Sequence, residues 1–402
     1  MASCSRFTTL FVKFCLLITL PNVAPFSFTA TSGTGTALFS SASSAALDLL
    51  YQDQQEAMLR RSFHEQELLL SNNNNNEMKE LLAPKVKAKP PKSGTGFGGG
   101  SANQANMDPA KRLATEQAKV MHKEGVIRIN NVLTPEVTDK LREYVLDQQA
   151  LAKVETDRDP TTSRTYYGVE NKRKNRCDLQ LSLLRGGFAA DSVTNDDEFE
   201  SFALADALRE LLGENGTLRH LYENLVTVQG ELYELAAVIT DPGSNRQTVH
   251  PDLPYKSKAP LYVIFLALQD VTEAMGPTSF LMRTHTSKAN DIFNSGDQSQ
   301  KDNQLLKADC RLCTLKKGDA VMFDARTLHC GNANDAEEGR TRALFNFSFR
   351  NPEVQGSLGY KGSIRPGYEG ALSLGDVSDA LAAYGSGDGN PFAKYGNGIP
   401  RW

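Results

Sequence analysis

Six histidines stand in this chain of 402 residues, and two of them open a His-x-acid triplet, His122-Lys-Glu124 and His250-Pro-Asp252. Fewer than one such triplet is expected by chance among forty-eight acidic residues, so context has to separate the two. The first closes a helical pattern just before Gly125, where a charged last turn is ordinary solvated surface. The second lies between a long apolar strand pattern with its turn at 241–245 and another apolar strand pattern. In extended backbone, residues i and i+2 project to one side, so the His250 imidazole and the Asp252 carboxylate can bind one metal ion together. A second imidazole from elsewhere would complete the two-histidine, one-carboxylate face of non-haem iron(II) sites, which leaves positions open for other ligands. His329, behind the strand pattern 320–323, is the candidate for it.

The elements that must position these groups are legible as punctuation. Asp108 suits a helix N-cap and Pro109 the first helical position, with Leu113, Val120 and Met121 expected on one face and Gly125 at the left-handed exit. A strand is expected at 126–130. A second helix is expected from Thr134-Pro135, carrying Val137, Leu141, Tyr144 and Val145 at helical spacing, and a third at 198–212, with Phe199, Phe202, Ala205, Leu208 and Leu212 inward. From Leu225 onward the segments read as short strands, at 226–240, 261–271, 278–282, 320–323 and 343–349, separated by Gly, Pro and Asp turns. Helices followed by strands predict an α+β domain whose strands form a sandwich or jelly roll.

Five blocks in order carry a family resemblance. They are Gly125-Val-Ile-Arg-Ile-Asn-Asn-Val-Leu-Thr-Pro-Glu136, Gln247-Thr-Val-His250-Pro-Asp252, Gly276-Pro-Thr-Ser-Phe-Leu-Met-Arg-Thr-His285, Gly318-Asp-Ala-Val-Met-Phe323, and His329 followed by Arg340. Together they resemble the phytanoyl-CoA dioxygenase-like Fe(II)/2-oxoglutarate dioxygenases over most of residues 105–352. The resemblance implies a double-stranded β-helix, cupin-like, with N-terminal and flanking helices. It also implies iron on His250, Asp252 and His329, with 2-oxoglutarate and O2 as co-substrates, ascorbate as reductant, and a small-molecule substrate oxidised with release of succinate and CO2. An arginine after the distal histidine would clamp the far carboxylate of 2-oxoglutarate, because a guanidinium fork matches a carboxylate bidentately and keeps its charge. The eleven-residue offset favours Arg340, with Arg342, two residues on and expected on the same strand face, as the alternative. Halogenating relatives carry a small residue in place of the carboxylate. Asp252 is present here, which implies hydroxylation or another oxidation rather than halogenation.

Other residues flank these blocks. Gln247, Thr278 and Ser279 are candidates for touching co-substrate or substrate. His285 stands where relatives carry Gly-Ser-His, but Arg283-Thr284 precedes it, which departs from the pattern and favours a structural role. The basic run Lys172-Arg-Lys-Asn-Arg176 suits a phosphate-bearing substrate such as a coenzyme A ester, yet a solvated loop accounts for it more simply. Cys310 and Cys313 form a lone pair with no second pair to close a zinc site, and Cys330 reads as a buried thiol. Substrate selectivity is expected in segments over the barrel mouth, at 156–176 and 288–306. Two other readings fit the same residues: a cupin-like metal enzyme that does not use 2-oxoglutarate, and a non-catalytic β-helix that only binds. The first follows if neither arginine points at the metal.

The rest of the chain sets the boundaries. Residues 1–47 contain no acid, and a short apolar stretch after Arg6, broken by Lys13, precedes a Ser/Thr/Ala/Gly-rich segment. That tandem resembles a signal peptide followed by a transit peptide, so a plastid or endomembrane destination is expected, with the mitochondrion as the alternative. Residues 48–83 include a helical pattern and the tract Asn72 to Asn76, and 84–104 read as a Lys/Pro/Gly linker. The dioxygenase domain is expected at 105–352 and a Gly-rich tail at 353–402. The net charge of −4 gives no basic field for nucleic acid, and no apolar run is long enough to span a membrane.

Overall fold

Among the described residues, nine antiparallel strands make two sheets of unequal size, and the candidate site sits between them. The structure is a computed structural model and describes residues 108–168, 174–181, 183, 203–359, 361–365 and 368–383. The leader, the 48–83 segment, the linker, Lys172, Arg173, Phe199, Phe202 and the tail beyond 383 lie outside the described residues.

The first helix, α1 (Pro109–Glu124), starts on Asp108, whose side chain accepts from the Ala110 amide, and ends at Gly125 with φ 77°. Its inward face differs from the expected one. Ala114, Ala118 and Met121 are buried while Leu113 and Val120 are exposed, because α1 packs closely on α4 (Arg219–Val226) and small residues permit that approach. β1 (Val126–Ile129) follows, and then α2 (Pro135–Arg158) opens on Thr134 and buries Leu141 and Val145. A single helical turn (Ser163–Tyr166) leads toward β2 (Arg176–Gln180), and α3 (Ala203–Leu212) buries Leu204, Leu208 and Leu211. The strand expected at 226–240 is shorter than its pattern. Val226 ends helix α4, a turn intervenes, and β3 runs Glu231–Thr240. Leu221, Tyr222, Leu225 and Val226 are spaced as a helical face, which the apolar run after 225 conceals.

The larger sheet has the order β1-β7-β4-β9-β3-β2, and includes β4 (Leu261–Ala267), β7 (Ala320–Asp324) and β9 (Arg342–Arg350). The smaller has the order β6-β5-β8, from β5 (Thr278–Leu281), β6 (Cys310–Leu312) and β8 (His329–Gly331). Alternation splits the large sheet into two faces. Ala343, Phe345, Phe347 and Phe349 of β9 pack with the helices on the outer face, as do Leu235, Ala237 and Ile239 of β3. Val263, Val321, Phe323 and Leu344 turn the other way and join Phe280 of the small sheet in a second core. Both faces are covered, so the strands read as near-continuous apolar runs.

One bulge turns a carboxylate toward the space between the sheets. The β3–β9 register shifts between Leu232 and Glu234, leaving Tyr233 as the extra residue. Leu232 and Leu235 therefore both face the helices, and Glu234 turns inward opposite Ser348.

Two helices, α5 (Ser287–Ser295) and α6 (Gln298–Lys307), pack on each other beside the small sheet. α6 begins with a capping box between Asp297 and Gln300. The tail expected to begin at 353 continues the same core as far as it is described. Ile364, Tyr368, Leu372, Val377 and Leu381 are buried, and α7 (Leu374–Ala383) packs on α3. The fold is α+β with antiparallel sheets, and among the described residues the strands do not close into a barrel. No helix among the described residues is long and apolar enough to cross a membrane.

Candidate metal centre and its cavity

His329 heads β8, and its main chain pairs with His250 in an isolated antiparallel bridge, each N–H donating to the other's carbonyl at 2.9 Å. Residues paired this way project their side chains to the same side. The imidazole centroids are 4.7 Å apart. Asp252, two residues past the bridge, brings Oδ1 to 3.8 Å from Nε2 of His250 and 3.5 Å from Nε2 of His329. One ligand atom from each of the three lies within 4.8 Å of the others, a separation that one ion can bridge.

The ring nitrogens are already sorted. Nδ1 of His250 donates to the Thr248 carbonyl at 2.7 Å, and Nδ1 of His329 donates to the Thr327 carbonyl at 3.0 Å. Each bond fixes the ring and leaves Nε2, the atom facing Asp252, with its lone pair for a metal. Phe280 and Phe323 wall His329 at centroid distances of 5.7 and 5.0 Å, and only 5% of its side chain is exposed. The donor set of two imidazoles and a carboxylate, all on one side of the pair, suits a hard or borderline divalent ion with open positions.

The three residues line a cavity of about 290 Å³ between the sheets, together with Gln247, Thr278, Gly331 and Arg342. A larger hollow, of about 780 Å³, lies where Leu133, Glu210 and Leu381 meet, and none of the candidate metal, co-substrate or substrate residues lines it. The chemistry is in the smaller space.

The two arginines part company. Arg340 is exposed and lies in the loop ahead of β9, so it does not share a strand face with Arg342. Arg342 is the first residue of β9, is 1% exposed, and lines the cavity. Its Nη1 donates to the Gly276 carbonyl, its Nε has no partner, and no carboxylate pairs with it among the described residues. Burial, with the Arg176 guanidinium nearby, pushes its pKa down to about 9. A buried cation held without its anion is the electrostatic condition that an acidic ligand relieves.

The flanking candidates divide as well. Gln247 lines the cavity, and its Oε1 accepts from the Gly331 amide at 2.9 Å, which ties the approach to His250 onto β8. Thr278 lines the cavity too. Ser279, next along β5, faces away, and its Oγ accepts from Asn332 at 2.8 Å. His285 is also away from the cavity, against Gly125, with Nε2 donating to the His122 carbonyl at 3.1 Å at the end of α1. Its place is structural. Cys310 and Cys330 are buried free thiols, and burial raises Cys310 to about 12.

Several lining residues are not among those singled out from the sequence: Asp178, Glu234, Asn346 and Ser363. Arg176, expected in a solvated basic run, instead begins strand β2. The 288–306 segment, expected over the mouth, contributes no residue to the cavity lining, and among the described residues of 156–176 only Arg176 does. A signal was present in the apolar strands. Glu234, Asn346 and Ser348 are polar residues at inward positions of runs that are otherwise apolar.

Residues 121–342, more than half of the chain, match the family described as Phytanoyl-CoA dioxygenase (PhyH). No curated protein matches the sequence. Solved structures that resemble it include the non-heme alpha ketoglutarate dependent epimerase SnoN from nogalamycin biosynthesis, at 15% identity, TM-score 0.39, covering 65% of this chain and 97% of that one. The carbocyclase SnoK from the same biosynthesis is similar at 15% identity and TM-score 0.40, over 60% of this chain and 86% of its own. SnoN in complex with Fe3+, alpha ketoglutarate and nogalamycin RO gives 16% identity and TM-score 0.39, over 65% and 97% of the two chains.

Proposed function

The chain belongs to the phytanoyl-CoA dioxygenase family, and from that premise we propose that it is a non-haem iron, 2-oxoglutarate-dependent enzyme that hydroxylates a small molecule. The observation that carries the reading is the shared cavity: the His250, Asp252 and His329 ligand atoms and a buried, anion-less Arg342 line one space. His250 and His329 would hold iron through Nε2, and Asp252 through a carboxylate oxygen. Arg342 would take the far carboxylate of 2-oxoglutarate, with its unpartnered Nε available to donate. When bound, the iron and oxo-acid supply the oxidising chemistry, in which one atom of O2 goes to the substrate and the other to succinate as CO2 leaves.

The residues of this chain do the positioning. The Thr248 and Thr327 carbonyls hold both imidazoles in the metal-binding tautomer. Phe280 and Phe323 keep water from the His329 side. Gln247 fixes the strand that brings His250 to His329. Asp252 fills the third ligand position, which favours hydroxylation over transfer of a halide. The two antiparallel sheets that flank the site support our proposal of a double-stranded β-helix. Arg342 in the cavity argues against a cupin-like enzyme without 2-oxoglutarate. Residues 1–47 are proposed as a cleavable leader to a plastid or endomembrane compartment; an intact Met1 on the mature protein would count against that.

The test is turnover. Purified protein with Fe(II), ascorbate, 2-oxoglutarate and O2 should release succinate, faster when a metabolite panel contains the substrate. Asp252→Ala should release none. Equal succinate from the wild type and Asp252→Ala would overturn the proposal.

A further inference from the structure

The three candidate ligands are not held alike. The His250 and His329 rings are each fixed by an Nδ1 hydrogen bond to a threonine carbonyl. The Asp252 carboxylate, 27% exposed, accepts no such bond among the described residues, and its near neighbours are the two Nε2 atoms. Its aim therefore depends on the main chain that carries it. On the near side that chain is pinned by the His250–His329 bridge. On the far side it runs through residues 253–260, without helix or strand, until β4 begins at Leu261.

A buried ion pair holds this far side. Asp324 ends β7 and Arg326 follows two residues later, with side chains only 3% and 8% exposed. The guanidinium donates from Nε to Oδ1 of Asp324 at 2.9 Å and from Nη2 to Oδ2 at 2.6 Å. Its remaining nitrogen, Nη1, donates to the Lys256 carbonyl in the middle of the loop, and the Tyr255 ring lies 5.4 Å from the guanidinium carbon. The same turn reaches the metal residues twice more. The Leu253 amide donates to the Ala325 carbonyl at 3.0 Å, and the Thr327 carbonyl is the one that fixes the His329 ring. An apolar turn would close β7 without taking two charges out of water, so the geometry it fixes is what explains a charged pair here. A planar fork held along one edge by a carboxylate presents its third nitrogen in a single direction.

We infer that Asp324 and Arg326 are positioning residues for the metal centre: Arg326, aimed by Asp324, holds the 253–260 loop so that Asp252 meets the ion. The inference rests on the metal reading of His250, Asp252 and His329 and adds the pair that fixes the carboxylate. Neither residue of the pair lines the cavity, so its action passes through the loop main chain.

The experiment uses the full-length protein freed of metal, with Mn(II) alone as the probe and the EPR signal of free Mn(II) as the measure of binding. Arg326→Met should raise the Mn(II) dissociation constant by about tenfold or more, the range found when outer groups that orient a metal ligand are removed. Asp324→Asn should act in the same direction. Arg326→Lys should recover only part of the loss, since an ammonium cannot serve Asp324 and Lys256 through one fork. At saturating Co(II), the ligand-field spectrum of Arg326→Met should move toward that of Asp252→Ala. Val377→Ala, which removes two buried methyl groups from α7, is the control for lost stability alone. It should melt lower yet keep the wild-type Mn(II) constant and Co(II) spectrum. Should Arg326→Met not fold, Asp324→Asn and Arg326→Lys decide. Folded variants that keep the wild-type constant or the wild-type spectrum, or an equal loss of affinity in Val377→Ala, would reduce the pair to a support of the fold and overturn the inference. Failure of the wild type to bind Mn(II) would instead defeat the metal reading beneath it.

Discussion

His250 and His329 exchange both main-chain hydrogen bonds across the gap between the sheets, at 2.9 Å each, although they are separated by nearly eighty residues. This pairing sets the imidazoles on one side at a centroid distance of 4.7 Å, and Asp252, two residues on, falls against both Nε2 atoms. The metal centre is thus a consequence of strand register. Its precision depends on the backbone and on two threonine carbonyls more than on any third side chain.

Arg342 and Arg340 provide the sharpest separation. Replacing Arg342 by Met should raise the 2-oxoglutarate dissociation constant by about a hundredfold, since a charge-assisted hydrogen bond to a buried anion is worth about 1.5–3 kcal/mol. Arg342→Lys should recover only part of that, because a point charge does not reproduce the fork. Arg340→Ala should change the constant less than about twofold, as expected of an exposed residue away from the site. Calorimetric titration with Fe(II) or Mn(II) present reads all three, and a larger effect from Arg340 would reverse the assignment.

Metal should stabilise the fold through the same three residues. At Mn(II) about a hundredfold above its dissociation constant, linkage gives about 2.7 kcal/mol, or about 5 °C in Tm. Asp252→Ala and His329→Ala should lose the shift. A scanning-fluorimetry shift that survives both substitutions would place the metal elsewhere.

Gly276 connects turn geometry to co-substrate binding. Its φ is 64°, a Cβ there would lie 2.3 Å from the Ala333 carbonyl oxygen, and its own carbonyl receives Nη1 of Arg342. Gly276→Ala should therefore cost about 1–3 kcal/mol of stability. It should also weaken 2-oxoglutarate binding by displacing Arg342. Chemical denaturation together with calorimetric titration of 2-oxoglutarate checks the pair of effects; a stable variant with unchanged binding would show the contact to be incidental.

Residues 353–383 should be indispensable. Ile364, Tyr368, Leu372, Leu374, Val377 and Leu381 are all buried, and each contributes about 1.5–3 kcal/mol on burial, together as much as a whole domain's net stability. A protein ending at Asn351 should be insoluble or lack a cooperative transition. Normal melting of that truncation would restore the domain boundary at 352.

The metal residues are legible in the sequence because three rare side chains in ordered blocks leave few alternatives. The strands are legible where apolar runs meet Gly and Pro turns. The departures have common physical causes. Helix α4 hides inside an apolar run because Leu221, Leu225 and Val226 suit either period over so short a span. Sequence offset favours Arg340 over Arg342 because it does not say where a strand begins, and the strand begins at Arg342. Asp178 gives no sequence signal of its own, since its inward direction depends on its pairing partner, and Glu234 stands out only as a polar residue in an apolar run, its facing set by tertiary contacts. The tail reads as a Gly-rich extension, since composition does not reveal that its scattered leucines share one core.

The central claim is that iron and 2-oxoglutarate bind together at His250, Asp252, His329 and Arg342. Anaerobic addition of Fe(II) and then 2-oxoglutarate to the purified protein, followed by visible absorption, tests it directly. The account predicts a metal-to-ligand charge-transfer band that saturates at one equivalent, disappears in Asp252→Ala, and needs far more 2-oxoglutarate in Arg342→Met. A folded wild-type protein that binds Fe(II) and gives no such band at saturating 2-oxoglutarate would contradict it.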